Sequence, residues 1–190
     1  MKYILDFDRV LFDTDAFIER LNSEGLGDMP RGQELLDGIE EKKIDWTEFV
    51  YEEALEFLME NGRDCLVLSS YYSRKREDNS EEESTLEFFQ NEKVKRSGIA
   101  ELVSEVHIVG REKEEKLREM YDRYGDVVYF DDEKIHVEHA HQIGYRAVWM
   151  RGKKEQRAFG HEKAPVITEF PQVGTFSEFV EQRKAWKKKE

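Results

Sequence analysis

Short apolar runs alternate along this chain with longer stretches in which apolar residues recur every three or four positions. The pattern predicts strands at Tyr3–Phe7, Cys65–Ser69, Val106–Val109, Val127–Phe130 and Arg146–Met150, with a weaker sixth at Val166–Thr168. Runs this short and this rich in Val, Ile, Leu and Tyr suit strands buried on both faces of a parallel sheet. In Trp46–Asn61 the apolar residues Trp46, Phe49, Val50, Ala54, Phe57 and Leu58 fall on one helical stripe, and Asn61-Gly62 supplies a stop. Glu112–Tyr124 carries the pairs Glu112/Lys116, Glu114/Arg118 and Glu119/Arg123, with Gly125 as C-cap. Such pairs are worth about 0.3–0.5 kcal/mol each and mark a solvated helix face. Glu133–Ile143 is a third helix, closed by Gly144. Strands alternating with helices imply an α/β fold with a doubly wound, mainly parallel sheet.

Two stretches interrupt the alternation. Residues 14–45 hold two short helical patterns, near Ala16–Ser23 and Gly32–Lys43, separated by Gly25, Gly27 and Pro30. That is more chain than one crossover needs. It reads as a small helical insertion, with residues 1–13 and 46–190 forming the core domain. Tyr72–Ser84 is polar, carries both charge signs and reads as a surface loop. The C-terminal Lys187–Lys189 reads as a solvated helix end.

A length of 190 residues suits one domain with a small insertion. Thirty basic against 43 acidic residues give a net charge of −13. Such a surface repels phosphate backbones and anionic lipid, which argues against nucleic-acid polymers and membranes as partners. Charged residues match hydrophobic ones at 38% each, a lean core, but 12% aromatic content supports a folded one. No apolar run approaches the ~20 residues that cross a bilayer, and the N-terminal run is too short for a signal peptide. Cys65 is the one cysteine, so no internal disulfide forms; a cytoplasmic location is expected.

The polar residues of interest stand at strand ends. In an open α/β sheet, ligands bind at the carboxyl ends of the strands. The first strand delivers Asp6 and Asp8, the second Ser69 and Ser70; Gly110 and then Lys113 follow the third, and Asp131-Asp132 the fourth. Crowded carboxylates repel one another unless a cation holds them, and hard oxygen ligands suit Mg²⁺. A lysine and a serine would then face the oxygens of a transferring phosphoryl group. One aspartate can attack phosphorus, and a second, two residues on, can move the proton.

In order and kind these motifs resemble the haloacid dehalogenase (HAD) superfamily of phosphohydrolases. Asp6-Phe7-Asp8-Arg9-Val10 matches its first motif and continues as Leu11-Phe12-Asp13-Thr14; Ser69 matches its second, Lys113 its third and Phe130-Asp131-Asp132 its fourth. The stretch to Gly144, Tyr145 and Val148 also resembles the family, so the likeness spans roughly residues 1–150. It implies a HAD-like Rossmannoid core with residues 14–45 as cap, and a Mg²⁺-dependent phosphatase. By the resemblance, Asp6 is the nucleophile and Asp8 the general acid/base. Asp6, the backbone carbonyl of Asp8 and Asp131 hold Mg²⁺, with Asp132 joining directly or through water. Ser69 hydrogen-bonds the phosphoryl oxygens and Lys113 offsets their charge. The implied substrate is a small-molecule phosphate ester, with a 5′-nucleotidase as the leading subtype.

Some assignments stay open. Ser70 competes with Ser69. Lys116 competes with Lys113, which lies nearer the helix start. Arg9, at a position often Gly in the family, reaches either the phosphate or solvent. His136, His139 and His141 read as helix-surface or packing residues, and Trp46 and Trp149 as core. A response-regulator receiver uses similar residues in a different order, its acidic pair coming with the first strand. The alternative from a different class is a non-catalytic HAD-like phosphate-binding or regulatory module.

Overall fold

The computed structural model describes residues 1–71, 80–110, 113–150 and 171–186. Strands β1 (Lys2–Leu5), β2 (Cys65–Ser70), β3 (Glu105–Val109), β4 (Val127–Asp131), β5 (Arg146–Met150) and β6 (Gln172–Val173) form one sheet in the order β3-β2-β1-β4-β5-β6. Every pairing among them is parallel. The chain winds outward from β1 through β2 to β3, then crosses to β4 on the other side of β1. The reversal opens a crevice at the carboxyl ends of β1 and β4.

Helices α1 (Thr14–Ser23), α2 (Gln33–Glu41), α3 (Glu52–Asn61), α4 (Ser80–Arg96), α5 (Glu114–Tyr124), α6 (Lys134–Ile143) and α7 (Phe176–Trp186) accompany the strands. Side chains of a strand alternate between faces, and the sheet buries both. Tyr3, Leu5, Val67, Val128, Phe130 and Val148 point to one face, where α3 and α7 bring Phe57, Phe176 and Phe179. Ile4, Leu66, Leu68, Tyr129 and Ala147 point to the other, against Leu117 and Met120 of α5 and Val137 and Ala140 of α6. This two-sided burial is why the strands read as continuous apolar runs rather than alternating ones.

Between β1 and β2, α1 and α2 sink Phe17, Leu21, Leu35, Leu36 and Ile39 into the same apolar cluster as Phe7, Phe12, Phe49 and Phe89. An ion pair of 2.6 Å from Arg96 to Glu40 ties α4 to α2.

The expected single helix over Trp46–Asn61 is instead broken. Trp46–Phe49 is one turn of 3₁₀ helix, Val50 and Tyr51 are extended, and α3 begins at Glu52. The cause is competition for backbone groups. The Asp13 N–H donates to the Phe49 carbonyl at 2.7 Å, and the Tyr51 N–H to the Leu11 carbonyl at 3.1 Å. Val50 bridges Phe12. Trp46 and Phe49 are buried all the same, against Phe17.

Of the expected loop Tyr72–Ser84, residues 72–79 lie outside the described residues, and Ser80–Ser84 are not loop but the first turn of α4. Val166–Thr168, Glu112 and Lys187–Lys189 also lie outside the described residues. The sixth strand of the described sheet is Gln172–Val173, paired with Trp149 and Met150. Among the described residues, no helix is long and apolar enough to cross a membrane.

Candidate active site

At the end of β1 the Asp6 N–H donates to the Phe130 carbonyl at 2.9 Å. The β1–β4 pairing thus continues one residue beyond the strand and sets Asp6 beside Asp131. Asp6, Asp131 and Asp132 each offer one carboxylate oxygen, all within 4.8 Å of one another. Lys113, at the N-terminus of α5 and only 1% exposed, reaches into this group. Its Nζ lies 2.8 Å from Asp6 Oδ1 and 2.8 Å from Asp131 Oδ2. Asp131 is fully buried and takes two further hydrogen bonds. The Glu133 N–H donates to its Oδ1 at 2.7 Å, and the Tyr129 hydroxyl donates to its Oδ2.

The charge balance of this group is uneven. Burial pushes Asp6 up to about 7; Lys113 pulls the other way, while Asp131 and Asp8 add to the rise. Burial also lifts Asp132 well above the carboxylate range, with Asp131 and Asp6 adding to it and Arg9 and Lys113 opposing. For Lys113, burial disfavours the ammonium, but the charges of Asp131 and Asp6 outweigh it and hold the proton on. One ammonium does not offset three carboxylates. A hard divalent cation fits the donor set, since the three residues offer carboxylate oxygens within 4.8 Å of one another.

Asp8 faces elsewhere. Its side chain is not part of the acid trio but is engaged by α1 and α4. Thr14 Oγ1 and Lys93 Nζ both donate to its Oδ1, and Gln90 Nε2 donates to its Oδ2 at 2.6 Å. The same Gln90 amide donates to Ser69 Oγ at 2.9 Å. The Lys93 ammonium lies 4.8 Å from the centre of the Phe12 ring and 5.3 Å from that of Phe7. Burial works to raise Asp8, but the Lys93 charge and the hydrogen bonds from Lys93, Thr14 and Gln90 outweigh it and hold the carboxyl at about 2. Burial acts against the charge of Lys93 in turn, and Asp8 opposes that loss. The direction that decides the pair is the carboxyl's, because three donors converge on it.

The expected residues therefore form two adjoining groups. Asp6, Asp131, Asp132 and Lys113 make one; Asp8 and Ser69 make the other, linked through Gln90. Ser69 is fully buried and Ser70 half-buried at the strand end. Lys113 reaches the carboxylates, whereas Lys116 pairs with Glu119 at 2.8 Å on the surface. Arg9 pairs with Asp15 at 2.9 Å, and its charge also acts on Asp132. His136 lies 3.4 Å from Glu133 and His139 3.8 Å from Glu114, outside the acid trio.

Sequence reasoning missed Gln90, Lys93 and Tyr129, and saw in Thr14 only the tail of a motif. Gln90 and Lys93 are three apart, a spacing that puts both on one helix face, and that was a usable signal. Tyr129 sits inside an apolar run and gave none.

No protein-family model matches this sequence, and no curated protein matches it. Solved structures do. A haloacid dehalogenase-like family hydrolase from Xanthomonas campestris is 13% identical, with 100% of this chain and 99% of that one covered and a TM-score of 0.60. A putative haloacid dehalogenase-like hydrolase from Burkholderia xenovorans is 20% identical over 94% and 96% of the two chains, with a TM-score of 0.59. A structure described as a dehalogenase is 13% identical over 95% and 96%, with a TM-score of 0.57. At such identities the likeness shows the fold: this chain has the haloacid dehalogenase-like α/β fold.

Proposed function

We propose that the protein is a Mg²⁺-dependent phosphomonoester hydrolase that works through an aspartyl-phosphate on Asp6. The observation that carries this reading is the acid trio of Asp6, Asp131 and Asp132 closed by Lys113, with Asp8 two residues from Asp6. Asp6, Asp131 and Asp132 would hold the cation, together with the Asp8 backbone carbonyl. Bound there, Mg²⁺ supplies charge neutralisation to the carboxylates and to the phosphate they would otherwise repel.

In the proposed reaction, the Asp6 carboxylate attacks phosphorus and the phosphorus–ester oxygen bond breaks. Asp8, which its donors hold ionised in the free protein, would take up a proton as the ester binds and deliver it to the departing alcohol or phenol. Asp8 then takes a proton from the water that attacks the phosphoryl group on Asp6, releasing inorganic phosphate, restoring the Asp6 carboxylate and leaving on Asp8 the proton that the next turnover uses. Lys113 keeps its proton throughout and offsets charge on the phosphoryl oxygens; Ser69 hydrogen-bonds them. The requirement for several acids around one cation favours a phosphate ester over a haloacid, which brings no phosphoryl group needing the metal. Helices α1 and α2 would serve as the small cap, and a cap of that size suits a small sugar phosphate or a nucleotide, with 5′-nucleotides first among them.

The test is phosphate release from a panel of nucleotides, sugar phosphates and phosphopeptides. Wild-type protein with Mg²⁺ is expected to turn over part of the panel, and EDTA to stop it. Asp6→Asn is expected to lower turnover by on the order of 10³-fold or more. Equal behaviour of wild type and Asp6→Asn across the whole panel would reject the enzyme and leave a non-catalytic phosphate-binding module.

A further inference from the structure

Arg9 stands where a side chain strains the backbone. Its φ is +59°, and among the described residues Arg9 and Lys43 are the non-glycine residues with a positive φ. A side chain is disfavoured in that region and a glycine is not. The turn nonetheless holds Arg9 firmly. Its N–H donates to the Phe12 carbonyl at 2.8 Å, and the Leu11 and Phe12 N–H groups both donate to the Phe7 carbonyl at 3.0 Å. Val10, Leu11 and Phe12 are buried. A rigid turn just beyond β1 thus presents one long cationic side chain. Strain kept where a glycine would relieve it points to use.

The guanidinium joins this turn to α1. Its Nε donates to both Asp15 oxygens, at 3.2 and 3.3 Å, and its Nη2 to Oδ1 at 2.9 Å. Asp15 belongs to the first turn of α1. The charge of Arg9 also acts on Asp132 and Asp8, which places it at the crevice beside both acid groups. Lys113 and Lys93 are buried and committed to Asp6, Asp131 and Asp8. The side chains of Arg9 and Asp15 are instead 31% and 45% exposed. An ion pair this exposed contributes little net stability, so an incoming anion of similar shape can take the place of Asp15. The Nε–Nη2 edge that it would meet suits a carboxylate or a phosphate in a two-point contact.

Resting on the phosphatase reading, we propose that Arg9 is a specificity-determining residue: it receives a second anionic group, carboxylate or phosphate, on the alcohol portion of the ester, and Asp15 holds that place in the free protein. The acid trio and Lys113 serve the phosphoryl group undergoing transfer, so an anion at Arg9 belongs to the other part of the molecule. This narrows the substrate beyond what the size of the cap implies, to a phosphorylated hydroxy acid or a 5′-nucleotide with a further phosphate on its ribose. In a chain of net charge −13, a cation at the crevice also draws in a doubly anionic substrate that the rest of the surface repels.

The experiment reads binding apart from turnover. In Asp6→Asn, which lacks the attacking carboxylate, affinity is measured by calorimetry at saturating Mg²⁺ for two matched pairs of esters. One pair is 3-phosphoglycerate against glycerol 3-phosphate; the other is adenosine 3′,5′-bisphosphate against 5′-AMP. The doubly anionic member of at least one pair is expected to bind ~10-fold or more tightly, as a charge-assisted contact gives. Adding Arg9→Gln is expected to bring that ratio close to one. Adding Asp15→Asn instead, which removes the competing carboxylate, is expected to raise it at least ~2-fold. A staple between turn and cap predicts otherwise: both changes would lower Tm and shift the two members of a pair alike. Ratios near one in both pairs, no binding of any of the four esters, or a ratio that survives Arg9→Gln overturn the proposal. The phosphatase reading then still stands if the wild type turns over members of the broader panel. If Arg9→Gln does not fold, the rise or its absence with Asp15→Asn decides alone. A wild-type protein that hydrolyses no ester at all overturns both.

Discussion

Lys113 and Asp6 meet at 2.8 Å inside the protein, one arriving from the start of α5 and the other from the end of β1. The same ammonium bridges to Asp131 at the end of β4. The contact therefore joins two neighbouring strands and the crossover helix between β3 and β4. Removing one partner of a buried pair leaves the others unbalanced and costs about 3–5 kcal/mol. Lys113→Met is expected to lose stability in that range in EDTA, read by urea denaturation. Mg²⁺ is expected to restore part of it, because a divalent cation compensates the same carboxylates. Loss of less than about 1 kcal/mol in EDTA would mean that the pair is not holding the site together.

The acid trio also fixes how stability responds to pH when no metal is present. Asp6 is pushed to about 7 from its ordinary 3.8, and Asp132 is raised too. A carboxyl whose folded-state value is raised binds more protons when folded than when unfolded between those two values. Its stabilising proton is in place below the unfolded value and is lost as pH climbs from about 4 to about 7. Asp8 shifts the opposite way, but its window lies below pH 4, since it is held at about 2. In EDTA, Tm is expected to fall between pH 4 and 7, and Asp6→Asn to flatten the fall. Mg²⁺ is expected to raise Tm most at the upper end of that window. A Tm that climbs from pH 4 to 7 in EDTA, identically in wild type and Asp6→Asn, would contradict this.

The sheet and the acidic residues at its edge were legible in the sequence because both depend on local pattern. A strand buried on both faces has to be apolar along its length, as Val127–Phe130 is. A carboxylate that ends such a run, as Asp6 and Asp131 do, stands out at once. What was hidden depended on long-range competition. Trp46–Asn61 has a helical stripe, yet the loop after β1 takes the Phe49 carbonyl and the Tyr51 N–H, and the helix breaks. Helix α4 has so few apolar residues, Phe89 and Val94 among its buried ones, that no stripe announces it. Two of its polar side chains, Gln90 and Lys93, are buried beside them, which departs from the usual pattern. The spacing of Gln90 and Lys93 puts them on one helix face, but nothing local marks that face as inward, because their burial is offset by Asp8, a residue far away in sequence.

The junction between α3 and β2 depends on close backbone approach. A Cβ added at Gly62 would fall 1.9 Å from the Leu102 carbonyl oxygen, a backbone atom that cannot swing aside. Gly62→Ala is expected to destabilise the protein by about 1–3 kcal/mol through forced displacement of that segment. Because the strain lies away from the crevice, the denaturation midpoint should drop while KM for any phosphate ester stays within about twofold. An unchanged midpoint would show that the Leu102 segment yields without cost.

Tyr129 separates support of the metal site from support of the fold. Its ring is fully buried in the face that packs on α5 and α6, and its hydroxyl donates to Asp131. Tyr129→Phe keeps the ring and removes only that donor. Asp131 would still hold Lys113 and the Glu133 N–H, so its charge stays compensated. Loss of a hydrogen bond to a charged group costs about 1.5–3 kcal/mol. Partners that orient a ligating carboxylate typically matter about 10–100-fold in metal affinity. Tyr129→Phe is therefore expected to remain folded while its Mg²⁺ titration, followed by thermal shift, moves to at least ~10-fold higher concentration. If the titration does not move, the hydroxyl only fills a polar vacancy beside Asp131, and Lys113 with the Glu133 N–H suffices to orient that ligand.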